Sequence, residues 1–331
     1  MNEATEFFYA LTPERVLDAV EVGGRKCTGR FIVLNSYENR VYQLELDDGT
    51  FVVAKFYRPG RWSRDQILDE HEFIWDLDDA EIPMASPIEL TPDETIGKLA
   101  NIHFSVFPRI GGRAPDEMDD AQLERIGGLL ARIHSVGRTD VAEHRCELTP
   151  RTYGHDDLAL ILDGGHLLPS HRPRYEEVAR ELLDAITPIF EPFLDSWQRI
   201  HGDAHLGNVL RTPAGFLFLD FDDMVMGPPV QDLWMLWGGR DAWATRRRDI
   251  LLAGYESMAD FDRSSLRLVE PLRALRYIHY TAWLAKRWED PAFKIAFPDF
   301  GTEAYWTTRT GDLAEQLRLI REEEALRPAL A

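Results

Sequence analysis

Cysteine is scarce in this chain, and long apolar runs are missing from it. Cys27 and Cys146 are the only two cysteines among 331 residues, and they lie in unrelated stretches. A disulfide framework or a cysteine-rich metal site needs more cysteines at regular spacing, so neither is indicated and a reducing compartment fits. No segment reaches the roughly 18 apolar residues of a membrane span, and the start of the chain lacks the basic and apolar regions of a secretion signal. We therefore expect a cytoplasmic protein that does not bind a membrane.

Positive charge is also in short supply. The chain has 57 acidic and 37 basic residues, which give a formal net charge of −20 at pH 7. A field of this sign repels nucleic acids and anionic membranes unless a local basic patch overrides it, so nucleic acid is not expected as a partner. The apolar content of 44% is ordinary for a globular protein, and 331 residues suffice for two lobes. We expect a monomer.

The first third of the chain has the alternating pattern of an antiparallel sheet. Three strand-like runs, FIVLNS, VYQLEL and FVVAKFY, fall within residues 31–57, and the turn DDGT between the last two is a strong hairpin signal. A helical pattern follows at residues 63–77, with Ser63 or Asp65 as its capping residue. The pattern predicts a three-stranded antiparallel unit followed by a helix.

A glycine pair separates this part of the chain from a mainly helical remainder. The strand-like run IHFSVFP leads into Gly111 and Gly112, which predict a hinge. Beyond them, apolar residues recur at helical spacing over several long segments. We place an N-terminal lobe at residues 1–107, the hinge at 108–113 and a C-terminal lobe at 114–331.

One segment of the second lobe, residues 201–223 with the sequence HGDAHLGNVLRTPAGFLFLDFDD, combines a hairpin pattern with many polar side chains. Pairing Arg211 with Phe216 across the TPAG loop brings Asn208 and Asp220 together at the open end of the hairpin, give or take one residue. Opposed strand residues have Cβ atoms about 5 Å apart, near enough for a carboxylate and a carboxamide oxygen to bind one hard cation. Such oxygen ligands suit Mg²⁺, which keeps waters and substrate phosphates in its other positions.

Asp203 lies five residues before Asn208, on the loop that leads to the same place. A carboxylate beside a metal-bound phosphate can orient an incoming hydroxyl and take its proton as the new bond forms, which is the role of a phosphotransferase base. The alternative is that GDAH and DFDD are two solvated loops, which is the usual explanation for a single aspartate. The combination with Asn208 and Asp220 favours the catalytic interpretation.

His201 and His205 flank Asp203 and invite a different metal interpretation. A zinc site needs a further cluster of ligands and a water-activating base, and neither stands out in the sequence. A metallophosphoesterase also begins with Gly-Asp-x-His, but its further blocks of Asp and His are not found downstream. Orientation of the loop is the favoured role of these histidines, and we assign His201 to structural support.

Five sequence blocks carry a resemblance to a known family. HGDAHLGN followed by FLDFDD resembles the catalytic and metal-binding loops of the aminoglycoside phosphotransferase and choline kinase superfamily, distant relatives of the protein kinases. With GPPVQDLWMLW, RWSRDQILDEH and VFPRIGGR, the chain resembles the stress response kinase A family over most of its length. The resemblance implies an α+β, bilobal protein kinase-like fold, with a nucleotide-binding N-terminal lobe of antiparallel sheet plus helix and a mainly helical catalytic lobe containing the hairpin. It also implies ATP and Mg²⁺ as cofactors.

The resemblance assigns roles residue by residue. Asp203 matches the catalytic base, and Asn208 and Asp220 match the Mg²⁺ ligands, with Asp220 counted among the catalytic residues as well. Lys55 in VVAK matches the strand lysine that holds the α and β phosphates of the nucleotide. A lysine on a strand is usually just solvent-facing, but Lys55 follows a clear hairpin and precedes a helix.

Further residues support this set. The partner of Lys55 is expected among Asp69, Glu70 and Glu72, and the family spacing selects Glu70, although an exposed helix charge is an equal alternative. Asp232 in VQDLW resembles the carboxylate that holds the catalytic loop backbone, or it is a helix N-cap.

The phosphate-covering loop differs from that of the protein kinases. Their loop is glycine-rich, whereas NSYENR joins the first two strands here. The resemblance implies that Ser36 contacts the ATP phosphates with its hydroxyl or its backbone N–H. The alternative is an ordinary turn serine.

The acceptor is left open by these residues. The resemblance favours an ATP-dependent Ser/Thr protein kinase of the bacterial stress response, with autophosphorylation included. A small-molecule kinase that acts on an aminoglycoside, choline or a similar amino alcohol is the alternative, because Trp and Tyr residues crowd the last third of the chain. Aromatic faces beside Asp222 and Asp223 could hold a quaternary ammonium or an aminoglycoside amine. Tyr277, Tyr280 and Trp288 recur at helical spacing, however, which is more typical of a core. A nucleotide-binding regulator without catalysis is a third class.

Overall fold

The computed structural model describes Phe8 and residues 11–326. Its N-terminal part is a five-stranded antiparallel sheet with the strand order β1-β2-β3-β5-β4. The strands are β1 (Cys27–Leu34), β2 (Arg40–Leu46), β3 (Phe51–Phe56), β4 (Gly97–Leu99) and β5 (Ile102–Pro108). The predicted three-stranded unit is confirmed, and β5 and β4 extend it beyond β3.

The two faces of this sheet have different environments. Buried side chains alternate along the strands, for example Val52, Ala54 and Phe56 on β3, and they pack with helix α1 (Pro13–Glu21) into one apolar cluster. Because successive strand residues point to opposite faces, Lys55 lies on the other face, which lines the cleft between the lobes. The strand period therefore directs this lysine towards the cleft.

Helix α2 (Arg64–Asp79) follows the sheet as predicted. Of the two proposed caps, Ser63 is the correct one. Its Oγ accepts a hydrogen bond from Gln66 N at 3.2 Å, and its own N–H donates to Gln66 Oε1 at 2.9 Å, which is a capping box. The helix buries Phe73 and Leu77, and the same buried side carries Glu70.

The C-terminal part is mainly helical around one large apolar cluster. Its helices are α3 (Asp120–Gly137), α4 (Asp156–Asp163), α5 (Arg172–Phe190), α6 (Val230–Trp237), α7 (Ala242–Glu256), α8 (Val269–Arg287), α9 (Pro291–Ala296) and α10 (Glu303–Leu326). Its short strands are β6 (Gln198–Ile200) paired with β9 (Val225–Gly227), and the hairpin β7 (Val209–Thr212) and β8 (Gly215–Phe218). Among the residues that the structure describes, no helix combines the length and the apolar character needed to cross a membrane.

Two glycines let helices α3 and α7 approach each other closely. A Cβ on Gly127 would lie 2.1 Å from the carbonyl oxygen of Leu251, and one on Gly254 would lie 2.0 Å from that of Glu124. Real Cβ atoms do not come this near to a backbone oxygen, so any side chain here forces the helices apart. Gly127 and Gly254 therefore form the packing contact between these two helices.

Candidate active site

The hairpin of residues 209–218 has the predicted register. Arg211 pairs with Phe216, and the N–H of Leu219 donates to the carbonyl oxygen of Asn208 at 2.8 Å, which extends the pairing to the open end. Asp220 follows directly, with φ +61° and ψ +66°. This left-handed conformation is uncommon outside glycine and occurs often at functional sites. The fold thus brings the two predicted metal ligands to the same end of the hairpin.

Asp232 holds the loop that carries Asp203. Its Oδ2 accepts from the N–H of His201 at 2.8 Å, and its Oδ1 accepts from the N–H of Gly202 at 2.9 Å. The N-cap alternative is wrong, because Asp232 lies inside α6, whose cap position is Pro229. His134 on α3, which sequence reasoning did not find, contacts Asp232 Oδ2 through Nε2 at 3.0 Å.

The same loop lies against the 220–223 turn. Gly202 has φ +83°, and a Cβ on it would fall 2.1 Å from the carbonyl oxygen of Asp223, so glycine is required here. The His201 ring is fully buried, its Nε2 lies 2.9 Å from the carbonyl oxygen of Leu219, and its ring centroid lies 4.5 Å from that of Phe221. These are contacts that a supporting residue would make.

Asp203 lies in the cleft with both carboxylate oxygens in contact with basic groups. Oδ1 accepts from Arg276 Nη1 at 3.1 Å, and Oδ2 lies 3.4 Å from His205 Nε2. Burial opposes ionisation of Asp203, but the hydrogen bond with His205 and the charge of Arg276 outweigh it and hold the pKa of Asp203 well below its usual range. Its backbone oxygen accepts from Asn208 Nδ2 at 3.0 Å, which connects the two predicted site residues directly.

Lys55 lies within ion-pair distance of three carboxylates. Its Nζ is 3.3 Å from Glu70 Oε1, 3.1 Å from Asp220 Oδ1 and 3.0 Å from Asp222 Oδ1. Burial opposes its charge, but these carboxylates outweigh burial and raise the pKa of Lys55 well above its usual value. Glu72 is exposed, so Glu70 is the helix glutamate that the structure brings to the lysine.

A second cation, which sequence reasoning missed, holds Glu70 from the other side. Arg145 Nη2 lies 3.2 Å from Glu70 Oε2, and its Nη1 donates to the backbone oxygen of Asp222 at 2.6 Å. Burial raises the pKa of Glu70 even though Lys55 and Arg145 both oppose that shift. Arg145 precedes no clear element in the sequence, and no local pattern singles it out.

Asp222 and Asp223 are engaged with other side chains, contrary to the expectation that they could receive an acceptor amine. Arg61 donates to both carboxylates, and Asn39 Nδ2 donates to Asp222 Oδ2 at 3.2 Å. The side chain of Asp222 is only 3% exposed. That expectation is wrong for Asp222, which is part of the Lys55 ion-pair cluster.

The loop between β1 and β2 covers one side of the cleft and contacts the C-terminal lobe. Ser36 lines the cleft, and its Oγ accepts from the N–H of Asn39 at 3.2 Å. Glu38 Oε2 accepts from Trp283 Nε1 at 2.8 Å, and Arg58 Nε lies 3.1 Å from Glu38 Oε1. The loop that carries Ser36 is therefore held by contacts with both lobes, and Ser36 lines the same cleft as Lys55.

The cleft has a volume of about 790 Å³, enough for a nucleotide together with an acceptor group. Its lining includes Lys55, Asp203, Asn208 and Asp220. Across Phe8 and residues 11–326, no three His, Cys, Asp or Glu side chains converge on one metal position. The Asn208 and Asp220 side chains fit a cation that takes few protein ligands, and the Lys55 ammonium fits a phosphate.

The comparisons with known proteins agree with this geometry. The model of the phosphotransferase enzyme family matches residues 31–269. The chain belongs to the phosphotransferase enzyme family. This phosphotransferase is 37% identical over 323 residues to stress response kinase A of Escherichia coli (strain K12), with 97% of both chains covered. It is 36% identical over 322 residues to the serine/threonine protein kinase RdoA of Salmonella typhimurium, again with 97% of both covered. The resemblance to the stress response kinase A family is confirmed.

Solved structures of other phosphotransferases share the fold. An amicoumacin kinase in complex with AMP-PNP and Ca²⁺ superposes with a TM-score of 0.72 at 17% identity, and the match covers 96% of each chain. A microcompartment-associated aminopropanol kinase gives a TM-score of 0.68 at 17% identity, covering 94% of this chain and 97% of that one. The expected α+β, bilobal kinase-like fold is confirmed. The lobe and hinge boundaries at residues 107 and 113 stay predictions.

Proposed function

We propose that this phosphotransferase transfers the γ-phosphoryl group of ATP to serine or threonine hydroxyls of proteins in a bacterial stress response. The observation that carries the proposal is the convergence of Lys55, Asp203, Asn208 and Asp220 in one cleft, with Lys55 Nζ 3.1 Å from Asp220 Oδ1. The protein acceptor is supported by the names of relatives that are 36–37% identical over nearly the whole chain.

Each side chain has a defined task in this proposal. Lys55 holds the α and β phosphates, and Glu70 and Arg145 keep it in place. Asn208 and Asp220 would hold Mg²⁺, which neutralises phosphate charge when bound. Asp203 accepts a hydrogen bond from the acceptor hydroxyl, orients it, and takes its proton as the phosphorus–oxygen bond forms.

Ser36→Ala is expected to raise the KM for ATP about three- to tenfold with a smaller effect on kcat. A typical hydrogen bond contributes about 0.5–1.5 kcal/mol, and we expect a value in this range because the backbone N–H of position 36 remains in the variant. Initial-rate kinetics with varied ATP would measure this. Unchanged KM and kcat would remove Ser36 from the ATP site, and Ser196→Ala, in a turn remote from the cleft, is the matched control.

The acceptor class is best tested by following ³²P from ATP into protein and metabolite fractions. We expect Mg²⁺-dependent labelling of protein, loss of labelling with EDTA, and recovery with excess Mg²⁺. Labelling of an amine-bearing alcohol alone would favour the small-molecule alternative. ATP binding without transfer to any acceptor would favour a nucleotide-binding regulator. The monomeric state and the cytoplasmic location stay predictions.

A further inference from the structure

The cleft wall next to Asp203 is one face of helix α8. Arg276, His279, Tyr280 and Trp283 follow one another at spacings of three, one and three residues, and all four line the cleft. Arg276 contacts Asp203, and the ring of His279 stacks on Tyr153 with centroids 4.2 Å apart. An acceptor that presents its hydroxyl to Asp203 must therefore lie along this face.

Each carboxylate that lines the cleft in the described part of the chain already has a cationic partner within 3.3 Å. The pairs are Glu38 with Arg58, Glu70 with Arg145, Asp203 with Arg276, Asp220 with Lys55 and Asp223 with Arg61. An incoming amine must therefore compete with a cation that is already in place, which disfavours an amine-bearing acceptor.

The aromatic side chains of the wall are also occupied. The guanidinium of Arg287 lies over the Trp283 ring at 5.3 Å, and Tyr280 stacks on Trp283 with centroids 5.7 Å apart. Trp283 therefore already has a cation over its ring and a second ring stacked on it, whereas Tyr280 is 39% exposed. The cation next to Trp283 disfavours a further cation at that ring.

Two side chains of α8 that line the cleft, Arg276 and His279, are basic. Arg276 is 45% exposed on its side chain, so its guanidinium can reorient. His279 Nδ1 lies 2.6 Å from Asp157 Oδ2, and Lys286 Nζ lies 2.9 Å from Asp157 Oδ1, so one carboxylate serves two basic side chains. The described residues of α8 that line the cleft include no Asp or Glu.

The Arg276 contact also restricts access to Asp203. With Arg276 on Oδ1 and His205 3.4 Å from Oδ2, an incoming hydroxyl must compete for the carboxylate. An anion on the acceptor can draw the guanidinium to itself through two parallel hydrogen bonds, which frees Oδ1 and holds the hydroxyl beside it. A neutral or cationic acceptor cannot do this.

We propose that Arg276 recognises an anionic group next to the acceptor hydroxyl, so that the preferred acceptor is a serine or threonine flanked by an acidic residue. This inference rests on the proposed function and names its substrate class. The net charge of −20 does not oppose it at contact distance, because exposed charges more than about 8 Å away are largely screened at physiological salt. The same chemistry would select a small hydroxy acid over an amino alcohol.

The test uses matched acceptor peptides that differ in one residue, Ser-Asp against Ser-Asn. We expect the wild type to use the acidic peptide with a kcat/KM about ten- to a hundredfold higher, the range of one charge-assisted ion pair. Arg276→Gln should abolish the preference, so that kcat/KM for the acidic peptide equals kcat/KM for its amide counterpart. Arg276→Lys should restore part of the preference. Arg180→Gln, which removes an exposed arginine from an i, i+4 pair on α5, should leave both values unchanged.

The outcomes separate this inference from the proposed function. Equal use of both peptides by the wild type, or a preference that persists in Arg276→Gln, would overturn the role of Arg276. A second pair of acceptors, one small alcohol with a carboxylate and one with an amine, tests whether the anionic group belongs to a small molecule and not to a peptide.

If only the hydroxy acid stimulates ADP release and Arg276→Gln abolishes this stimulation, the proposal of a protein acceptor is wrong, but the proposal that Arg276 recognises an anion is supported. Preference for the amino alcohol overturns the inference, and no stimulation by any acceptor overturns both.

Discussion

Asp203→Asn is expected to lower kcat about 10²- to 10⁴-fold, the usual effect of removing a general base. Asparagine has nearly the same shape, and its oxygen can still accept from Arg276, so the loop geometry should persist. It carries no charge and cannot take the hydroxyl proton. The affinity for ATP and the unfolding temperature should therefore change little, because Lys55 and the Asp232 contacts to the loop are untouched.

Steady-state kinetics and calorimetric titration with a non-hydrolysable ATP analogue would check this result. Asp195→Asn, which changes an exposed aspartate in the turn after α5, is the matched control and should leave kcat unchanged. If Asp203→Asn retains a kcat within threefold of the wild type, Asp203 is not the base. The same result would contradict the proposal that Asp203 orients the acceptor hydroxyl.

Lys55→Met is expected to lower the free energy of unfolding by about 3–5 kcal/mol and to abolish detectable ATP binding. Removing one member of a buried ion cluster leaves the remaining charges without compensation, and Glu70, Asp220 and Asp222 all lie within 3.3 Å of the ammonium. The phosphates also lose their cation. Arg145 and Arg61 remain, which limits the loss of stability.

The loss of unfolding free energy in Lys55→Met should depend on pH. Burial already raises the pKa of Glu70, and loss of Lys55 raises this pKa further. The Glu70 carboxyl of the folded variant therefore stays protonated at pH values at which it is ionised in the unfolded chain. A carboxyl whose pKa is raised in the folded state stabilises it at low pH and loses that contribution as the pH rises. The variant should therefore lose more stability at pH 8 than at pH 5.

Urea denaturation at both pH values would measure this difference. Lys98→Met, on the exposed side of β4, serves as the matched control and should change the free energy of unfolding by less than about 0.5 kcal/mol. A loss in Lys55→Met that is the same at pH 5 and pH 8 would show that Glu70 does not carry the uncompensated charge.

The parts of the site that the sequence predicted are local ones. The register of the hairpin followed from one turn and the apolar residues on either side of it, and a shift of one residue would have turned every side chain to the wrong face. The family resemblance singled out Lys55, and the strand period explains why its side chain lies on the cleft face. The capping of α2 was narrowed to two residues, and only the geometry of the capping box selected Ser63.

The parts that were missed depend on residues far apart in the chain. Arg145 and Glu70 are 75 residues apart, Arg276 and Asp203 are 73 apart, and Arg61 and Asp222 are 161 apart. No periodicity or turn signal connects such pairs, because their meeting depends on how the lobes and helices pack. The same limit explains why Asp222 was expected to be open to an acceptor when it is buried in an ion cluster.

The sequence alone determined the strands and helix of the first lobe and the hairpin register that brings Asn208 and Asp220 together, since these depend on short-range pattern and turn chemistry. The family resemblance, which is also contained in the sequence, singled out Lys55 and agreed with the role of Asp203. Tertiary structure decided which charges meet. It brought Glu70 rather than Glu72 to Lys55, placed Arg145 next to Glu70, and placed Arg276 next to Asp203. The sequence shows which side chains can carry a charge. The burial and the neighbouring charges that set their pKa values and their roles exist only after the chain has packed.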